Sequence, residues 1–451
     1  MQVLLINPPA LSMYNLFGLS LPPMGLLYIA AVLEQGGHQV LVKDLTIDGA
    51  VLTDQELGWA DLVGISSDTT RIDRALELAR RAKSSDCMVV LGGPHPQFQA
   101  EEILATGFVD CIVKGEGEAV VPALLEALKQ EMPLQTVPGL LLSHNGNPVE
   151  TVAPAQVDVE QLPLPARHLL DLQQYRGVVA GRPAAPLISS RGCPGACHFC
   201  SSSSFFGRGW RARSAASVLA EIDELYRRYG YRAIAFMDDN FTLDPRRVIQ
   251  ICEGIMQRGY DLKWWNFSRV DSIVKHPEMV AAMATAGASM VYLGIESDNA
   301  ETLNSLGKCS SLAEVRAAVS LLKQHGIETY GSYIIGNLNE RPADVERTVQ
   351  LAISLDTNIA QFSILTPYPG TVLYQQLKDR IFTRKWKFYD GLHLVFRHPL
   401  INRHHLQMLI IRAFIRFYRR SDAATAGFKS ATSRVELSFR KLFKCAWELF
   451  V

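Results

Sequence analysis

Three cysteines fall within eight residues, in Arg191-Gly192-Cys193-Pro194-Gly195-Ala196-Cys197-His198-Phe199-Cys200. Thiolates hold soft metals and iron–sulfur clusters, and a short Gly/Pro loop can turn all three inward onto one centre. A four-iron cluster ordinarily takes four thiolates. The other cysteines, Cys87, Cys111, Cys252, Cys309 and Cys445, have no matching companion nearby in sequence. Three ligands would leave one iron open to a substrate or cofactor, as catalytic metal sites do. The competing chemistry is a structural zinc site built from the same thiols and His198, but zinc modules usually pair two short knuckles and this chain shows one. Crowded thiols of this kind imply a reducing compartment, the cytoplasm, rather than a disulfide framework. Other candidates are Asp238 and Asp239, acceptors suited to an ammonium group, and Arg269, a rigid donor fork for a carboxylate. Ile335 and Leu365 could sandwich an adenine.

The elements that must position these groups follow from the pattern. Over the first 150 residues, β-rich runs at 3–6, 39–43, 62–65, 88–91 and 111–113 alternate with helical patterns at 24–35, 72–83 and 119–129. Such alternation predicts a doubly wound parallel sheet, which binds ligands beyond the carboxyl ends of its strands. Those ends carry Asn7-Pro8-Pro9, Ser66-Ser67-Asp68-Thr69-Thr70, Gly92-Gly93-Pro94-His95-Pro96 and Gly115-Glu116-Gly117-Glu118. A dinucleotide is disfavoured because no Gly-x-Gly-x-x-Gly follows the first strand. A Pro-rich stretch at 145–185 reads as a linker. Six further strand–helix units follow, with strands near 187–189, 233–237, 264–267, 290–293, 329–335 and 360–365 and no antiparallel strand expected among them. The expectation is an α/β protein in which a partial (β/α)6 barrel, chemistry at its C-terminal strand ends, succeeds the first sheet. Its domains would be 1–144, a 145–185 linker, 186–385 and a helical 386–451.

Composition narrows the function. The 451 residues carry 45 Lys and Arg against 45 Asp and Glu, so no overall field points to nucleic acid. No run of eighteen apolar residues predicts a spanning helix, and Met1-Gln2-Val3-Leu4-Leu5 reads as a strand rather than a secretory leader. Residues 386–451 hold twelve Lys and Arg against four Asp and Glu. In that tail Leu406, Leu409, Ile410, Ala413, Phe414 and Phe417 recur at helical spacing, and 435–450 repeats the mix of Phe and basic residues. This suits a helical cap on the barrel, or a peripheral membrane contact and a lipid, isoprenoid or polyketide-like small-molecule substrate. Trp386, Tyr389, Asp390, Gly391, His393, Arg397, His398 and Pro399 follow the sixth strand and are expected near the substrate.

Cys-x3-Cys-x2-Cys after the first strand of a six-unit barrel resembles the radical S-adenosylmethionine (radical SAM) family. The resemblance extends to Phe236-Met237-Asp238-Asp239-Asn240-Phe241, Asn266-Phe267-Ser268-Arg269, Gly294-Ile295-Glu296-Ser297, Tyr333-Ile334-Ile335-Gly336 and 365–371, each at a strand end. It implies a 4Fe–4S cluster on Cys193, Cys197 and Cys200, with SAM chelating the open iron. SAM-binding roles are implied for Phe199, Asp238, Asp239, Ser268, Arg269, Glu296, Ile335 and Leu365, and a flavodoxin, ferredoxin or reductase is implied as electron donor. Asp-Asp-Asn stands where many members have Gly-Gly-Glu, a departure found in one large subgroup.

The N-terminal 130 residues resemble the cobalamin-binding domain fused to that subgroup, through Asn7-Pro8-Pro9, 22–26, 37–40, Asp44, 63–66, 92–95 and 115–118. The implied cobalamin contacts are Pro8, Ser66, Asp68, Thr69, Thr70, Arg71, Gly92, Gly93, His95, Gly115 and Glu116. Members with a cobalt-ligating His carry Asp-x-His-x-x-Gly after the first strand. Here that loop is Asn7-Pro8-Pro9-Ala10-Leu11-Ser12, so no His from it is expected on cobalt, and His95 is expected at the cofactor's periphery. The function implied is C-methylation of an unactivated carbon through a 5′-deoxyadenosyl radical and methylcobalamin. The subgroup also contains cyclases and ring-contracting enzymes, of which the anaerobic magnesium-protoporphyrin monomethyl ester cyclase is one. Methylthiotransferases need three more cluster cysteines in the N-terminal domain, which Cys87 and Cys111 cannot supply. A non-catalytic cobalamin or iron–sulfur regulator is the reading outside enzymology.

Overall fold

The computed structural model describes residues 1–9, 20–144, 146–308 and 310–420. Ala10, Leu11, Ser12, Cys309, Cys445 and the aromatic, basic 435–450 segment lie outside the described residues.

The first sheet has the order β2-β1-β3-β4-β5-β6-β7. Its strands are β1 (Gln2–Asn7), β2 (Gln39–Asp44), β3 (Leu62–Ser66), β4 (Met88–Gly92), β5 (Cys111–Val113), β6 (Leu140–His144) and β7 (Asn147–Glu150). β1 to β5 pair in parallel, whereas β6 and β7 are antiparallel. Parallel strands buried on both faces read as continuous apolar runs, as in Val3, Leu4, Leu5 and Ile6, all at most 2% exposed. The order 2-1-3-4-5 is that of a doubly wound sheet, whose switch point lies between β1 and β3. The β6–β7 hairpin carries the sheet to Glu150, past position 144, because Cys111, Ile112 and Val113 would otherwise present an unpaired edge.

A short antiparallel pair, β10 (Ser190–Arg191) with β11 (Arg211–Ala212), frames the cysteine loop. The second sheet runs β16-β15-β14-β13-β12-β9-β8. It contains β8 (Val178–Val179), β9 (Arg182–Leu187), β12 (Ala233–Phe236), β13 (Lys263–Ser268), β14 (Ala288–Glu296), β15 (Glu328–Ile335) and β16 (Ile359–Ile364). β9 and β12 to β16 are the six parallel strands of a half-barrel. These six pair in parallel as expected, and β8, ahead of them in the chain and at the edge of the sheet, pairs antiparallel with β9. Gly181, at φ +77°, makes that two-residue turn, and the strand it adds covers the edge of β9. Trp264, Val291, Leu293 and Phe362 point to the helix layer and are completely buried.

Helix Arg403–Tyr418 buries Leu406, Leu409, Ile410, Ala413, Phe414 and Phe417. Phe414 and Phe417 meet Phe362 of β16 edge-on, at centroid distances of 5.5 and 6.2 Å, so this helix caps the half-barrel. No helix of the described residues is long and apolar enough to cross a membrane.

Candidate functional site

The cysteine loop is anchored at both ends by groups that the sheet ends supply. Asp238, fully buried after β12, accepts from the Ser189 N–H (2.7 Å), the Ser189 hydroxyl (2.5 Å) and the Ser190 hydroxyl (2.6 Å). Burial pushes its carboxyl up, and Arg247 and these donors push it back. Both oxygens of Asp238 are thus spent on holding the end of β9. Asp239 accepts from the Gly192 N–H at 2.9 Å. Gly192 has φ +81°, and a Cβ there would come within 2.3 Å of the Gly209 carbonyl, so the loop requires glycine. Beyond the bend, His198 donates its N–H to the Leu306 carbonyl at 2.9 Å, and its Nδ1 lies 2.9 Å from the Ser305 carbonyl.

Between these anchors Cys193, Cys197 and Cys200 are free and half-buried. The sulfurs of Cys193 and Cys197 lie 3.4 and 3.9 Å from where a Cβ on Gly195 would stand, and an Arg269 nitrogen lies 3.1 Å from the same point. Burial raises the Cys197 thiol while Lys308 and Arg269 lower it. Cys200 opens helix Ser201–Phe206, where burial raises its thiol and the Ser202 and Ser203 N–H groups lower it. Among the described residues no group of three or more His, Cys, Asp and Glu side chains closes on a position for a single metal ion, and His198 is turned to Ser305. Three free thiols on one loop, with cations alongside, fit a larger thiolate-bound cluster with one vertex left to another ligand.

The other SAM-site candidates stand at the neighbouring strand ends with unequal availability. Ser268 donates to Asn266 Oδ1 at 2.6 Å, and Arg269 pairs with Asp271 at 2.9 Å. Glu296 sits at φ +69°, a costly backbone for a residue with a side chain, and pairs with Lys308 at 3.0 Å. Phe199 is half-buried against the core. Ile335 and Leu365, at 0 and 2% exposure, belong to the packed core and are joined by a Leu365 N–H to Ile335 carbonyl bond of 2.9 Å. Two residues outside the expected set stand out. Lys308 pairs with Glu296 close enough to Cys197 for its charge to act on that thiol, and Asn240 has both amide atoms buried without a hydrogen-bond partner. Asn240 was legible as the third residue of the Asp-Asp-Asn motif; Lys308 lies twelve residues from Glu296, and only the fold joins them.

The two sheets meet at their strand ends. A cleft of about 260 Å³ lies between Ser66, Gly92, Gly93, Gly115 and Glu116 on one side and Arg191, Met237 and Asp239 on the other. The glycines bring bare backbone to the floor. Gly93, at φ +102°, packs so closely that a Cβ would lie 2.5 Å from the Ser67 carbonyl. Arg191 crosses the cleft to Glu116 and Glu118, both at 2.6 Å, and Arg211 reaches Glu116 at 2.7 Å. Gly115 N–H donates to Gln97 Oε1 at 2.9 Å. Asp68 Oδ1 caps the turn Thr69–Arg71, accepting from the Thr70 and Arg71 N–H groups, and Arg71 donates to Asn7 Oδ1 at 2.7 Å beside buried Pro8. His95 is buried with Nδ1 3.2 Å from Thr69 Oγ1 and Nε2 unpartnered; burial lowers its pKa to about 4, so the ring is neutral. Trp386 stands edge-on to it at 4.7 Å. Trp386 therefore faces the first sheet's loops, while Gly391 faces Ser363 of β16.

Family models match this chain in two places: the B12 binding domain over residues 14–125 and the radical SAM superfamily over 187–352. An uncharacterised methyltransferase of Pyrococcus horikoshii is 34% identical, the match covering 93% of each chain. The hopanoid C-3 methylase of Methylococcus capsulatus is 30% identical over 88% of this chain and 76% of its own. Among solved structures, the cobalamin-dependent radical enzyme OxsB with aqua-cobalamin and S-adenosylmethionine bound superposes with a TM-score of 0.76 at 18% identity, over 97% of this chain and 72% of that one.

Proposed function

Because this chain belongs to the cobalamin-dependent radical SAM family, we propose that it is a C-methyltransferase acting on an unactivated carbon of a small, lipid-like molecule. The observation that supports the reading is the opposition of the two strand-end sets across one cleft, with Arg191, which leads into the cysteine loop, on one bank and the glycine floor on the other. When bound, the cluster with SAM supplies a hydrogen-abstracting radical and cobalamin supplies the methyl group.

This chain's residues do the rest. Cys193, Cys197 and Cys200 hold the cluster, and Arg269 and Lys308 provide cations beside it. Asp239, Ser268 and Glu296 present polar groups to SAM, while Asp238 positions β9 instead of meeting the ligand. Ser66, Gly92, Gly93, Gly115 and Glu116 would hold the cobalamin tail, and the turn Thr69–Arg71, backed by His95, would border the same cofactor. Since the His95 ring is neutral and screened by Trp386, it packs there without adding charge. Closure of the cleft by Arg191 keeps water from the reacting groups. The work belongs in a reducing cytoplasm, with a flavodoxin- or ferredoxin-type electron donor and peripheral membrane contact through the basic C-terminal region.

The test is incubation of reconstituted, reduced protein with methyl-labelled SAM and a lipid extract. Label entering a carbon–methyl bond together with 5′-deoxyadenosine is expected, and Cys193→Ala abolishes both. A product that forms without label sinks the methyltransferase reading in favour of cyclisation; absence of 5′-deoxyadenosine sinks the radical chemistry.

A further inference from the structure

The segment that follows β16 carries charge that its own neighbourhood does not balance. Between Lys378 and Arg403 stand seven Lys and Arg against two Asp and no Glu. All seven cations are exposed, and none of them pairs with a carboxylate among the described residues. Of the two acids, Asp390 is taken by His393 at 2.9 Å. Elsewhere exposed arginines find partners, as Arg228 does in Glu224 and Arg347 in Asp344. The fold gathers these cations rather than dispersing them. Ile381 and Phe396 form an antiparallel bridge, and the Arg397 N–H donates to the Arg380 carbonyl at 2.8 Å, so two arginines stand opposite each other. Like charges directly opposite across paired strands are unfavourable, and nothing in the packing calls for them. Arg403, at the start of helix Arg403–Tyr418, lies 5.7 Å above the Phe382 ring. Phe382 is 40% exposed, as is 49% of Leu400, which lies between Arg397 and Arg403 in the chain.

We propose that the face bearing Arg380, Phe382, Arg397, Leu400 and Arg403 is a docking site for an anionic lipid bilayer. The inference rests on the reading above for its lipid-like substrate, and it gives the membrane contact of that reading a defined surface. Charge supports it first. A negatively charged leaflet attracts every Lys and Arg held within a Debye length of it, and here those side chains have no carboxylate of their own to satisfy. The kind of side chain supports it next. Long cations that no hydrogen bond fixes suit mobile headgroups, which move to meet them, whereas a folded acidic partner offers carboxylates at fixed points. Phe382 and Leu400 stand among the cations as the apolar groups that enter the boundary between headgroups and acyl chains. Position completes it. The segment lies along β16, the last strand of its sheet, where the Ile364 N–H donates to the Gly391 carbonyl at 2.6 Å. Through Trp386, edge-on to His95, it also reaches the loops of the first sheet. A bilayer docked on it stands beside the seam of the two sheets, so an apolar substrate passes from lipid towards the cleft without crossing open water.

The test is co-sedimentation of the full-length, cobalamin-loaded protein with vesicles of phosphatidylcholine alone or with about 30% phosphatidylglycerol, at about 0.1 M salt. Binding to the anionic vesicles and not to the neutral ones is expected. Arg380→Gln combined with Arg397→Gln weakens it about tenfold or more, since each cation near a charged leaflet contributes severalfold. Phe382→Ser weakens it about threefold or more. Arg228→Gln, which removes an exposed cation elsewhere, leaves it unchanged. The visible spectrum of bound cobalamin, retained in every variant, reports that the protein is folded. Equal binding by the double variant and the wild type overturns this face, equal binding to both kinds of vesicle overturns the attraction to anionic headgroups, and absence of binding overturns docking altogether. Release from the vesicles by soluble poly-glutamate at a lower charge concentration than that of the lipid, with Phe382→Ser indifferent to either, overturns the bilayer in favour of an acidic protein. Vesicle binding is read without SAM, so its failure leaves the methyltransferase reading standing, and a missing 5′-deoxyadenosine leaves the docking face standing.

Discussion

At the scale of single residues, the site is a set of polar groups whose burial has been compensated unequally. Asp238 has three donors, whereas His95 has one neighbour at Nδ1 and none at Nε2. Burial lowers the His95 pKa from 6.5 to about 4, with Asp68 opposing weakly. The unfolded chain therefore takes up a proton that the folded ring refuses. Stability is unaffected above pH 6.5, falls as the pH drops from 6.5 towards 4, and loses about 2 kcal/mol by pH 5 through this group. In His95→Gln the decrease in unfolding free energy between pH 7 and pH 5, measured by urea titration of the cobalamin-free protein, should be smaller by about that amount. An equal decrease would show that His95 is not the buried titrating group. At the same scale the cysteine spacing, the Asp-Asp-Asn run and Arg269 were readable, because ligand chemistry depends on residue type and short spacing. Lys308 was not, because the Glu296 pairing depends on the return of the chain after helix Ala300–Ser305.

At the scale of elements, loops after parallel strands carry the site, and glycine decides how near they come. Gly93 follows β4 at φ +102° with Ser67 backbone packed against it. Gly93→Ala forces a Cβ onto a carbonyl and demands a left-handed backbone from alanine, so about 2 kcal/mol of stability should be lost. Cobalamin affinity should fall more than tenfold, read by the visible spectrum after gel filtration; a variant that binds normally would separate the glycine floor from the cofactor. The alternation of apolar runs and turns made the parallel strands legible. The β6–β7 and β8–β9 hairpins were missed because Asn147–Glu150 is exposed and contains Pro148, and Val178–Val179 is only two residues long, so their pairing is justified only by the edges they cover.

At the scale of the whole molecule, the two sheets are bonded together through buried charge. Arg191 spans from β10 to Glu116 and Glu118, and lies 5.2 Å above the Tyr28 ring. Glu221, completely buried, takes Arg167 from the linker at 2.5 Å and Arg213 as a second partner. Removing one member of such a set leaves the remaining charges uncompensated, at a cost of about 3–5 kcal/mol. Arg191→Leu should split a single calorimetric unfolding transition into two, the lower one abolished when Glu116→Gln and Glu118→Gln are added; one unchanged transition would show that the interface does not couple the domains. The α/β class and its succession of sheets were determined by the sequence alone, since hydrophobic period and turn residues act over a few positions. Tertiary structure alone decided which strand ends oppose each other, that Asp238 supports β9, that Ile335 and Leu365 are core, and that Arg380, Arg397 and Arg403 share one face. Those facts arise from long-range pairing and register, where residues far apart in the chain become neighbours and no local pattern records the meeting.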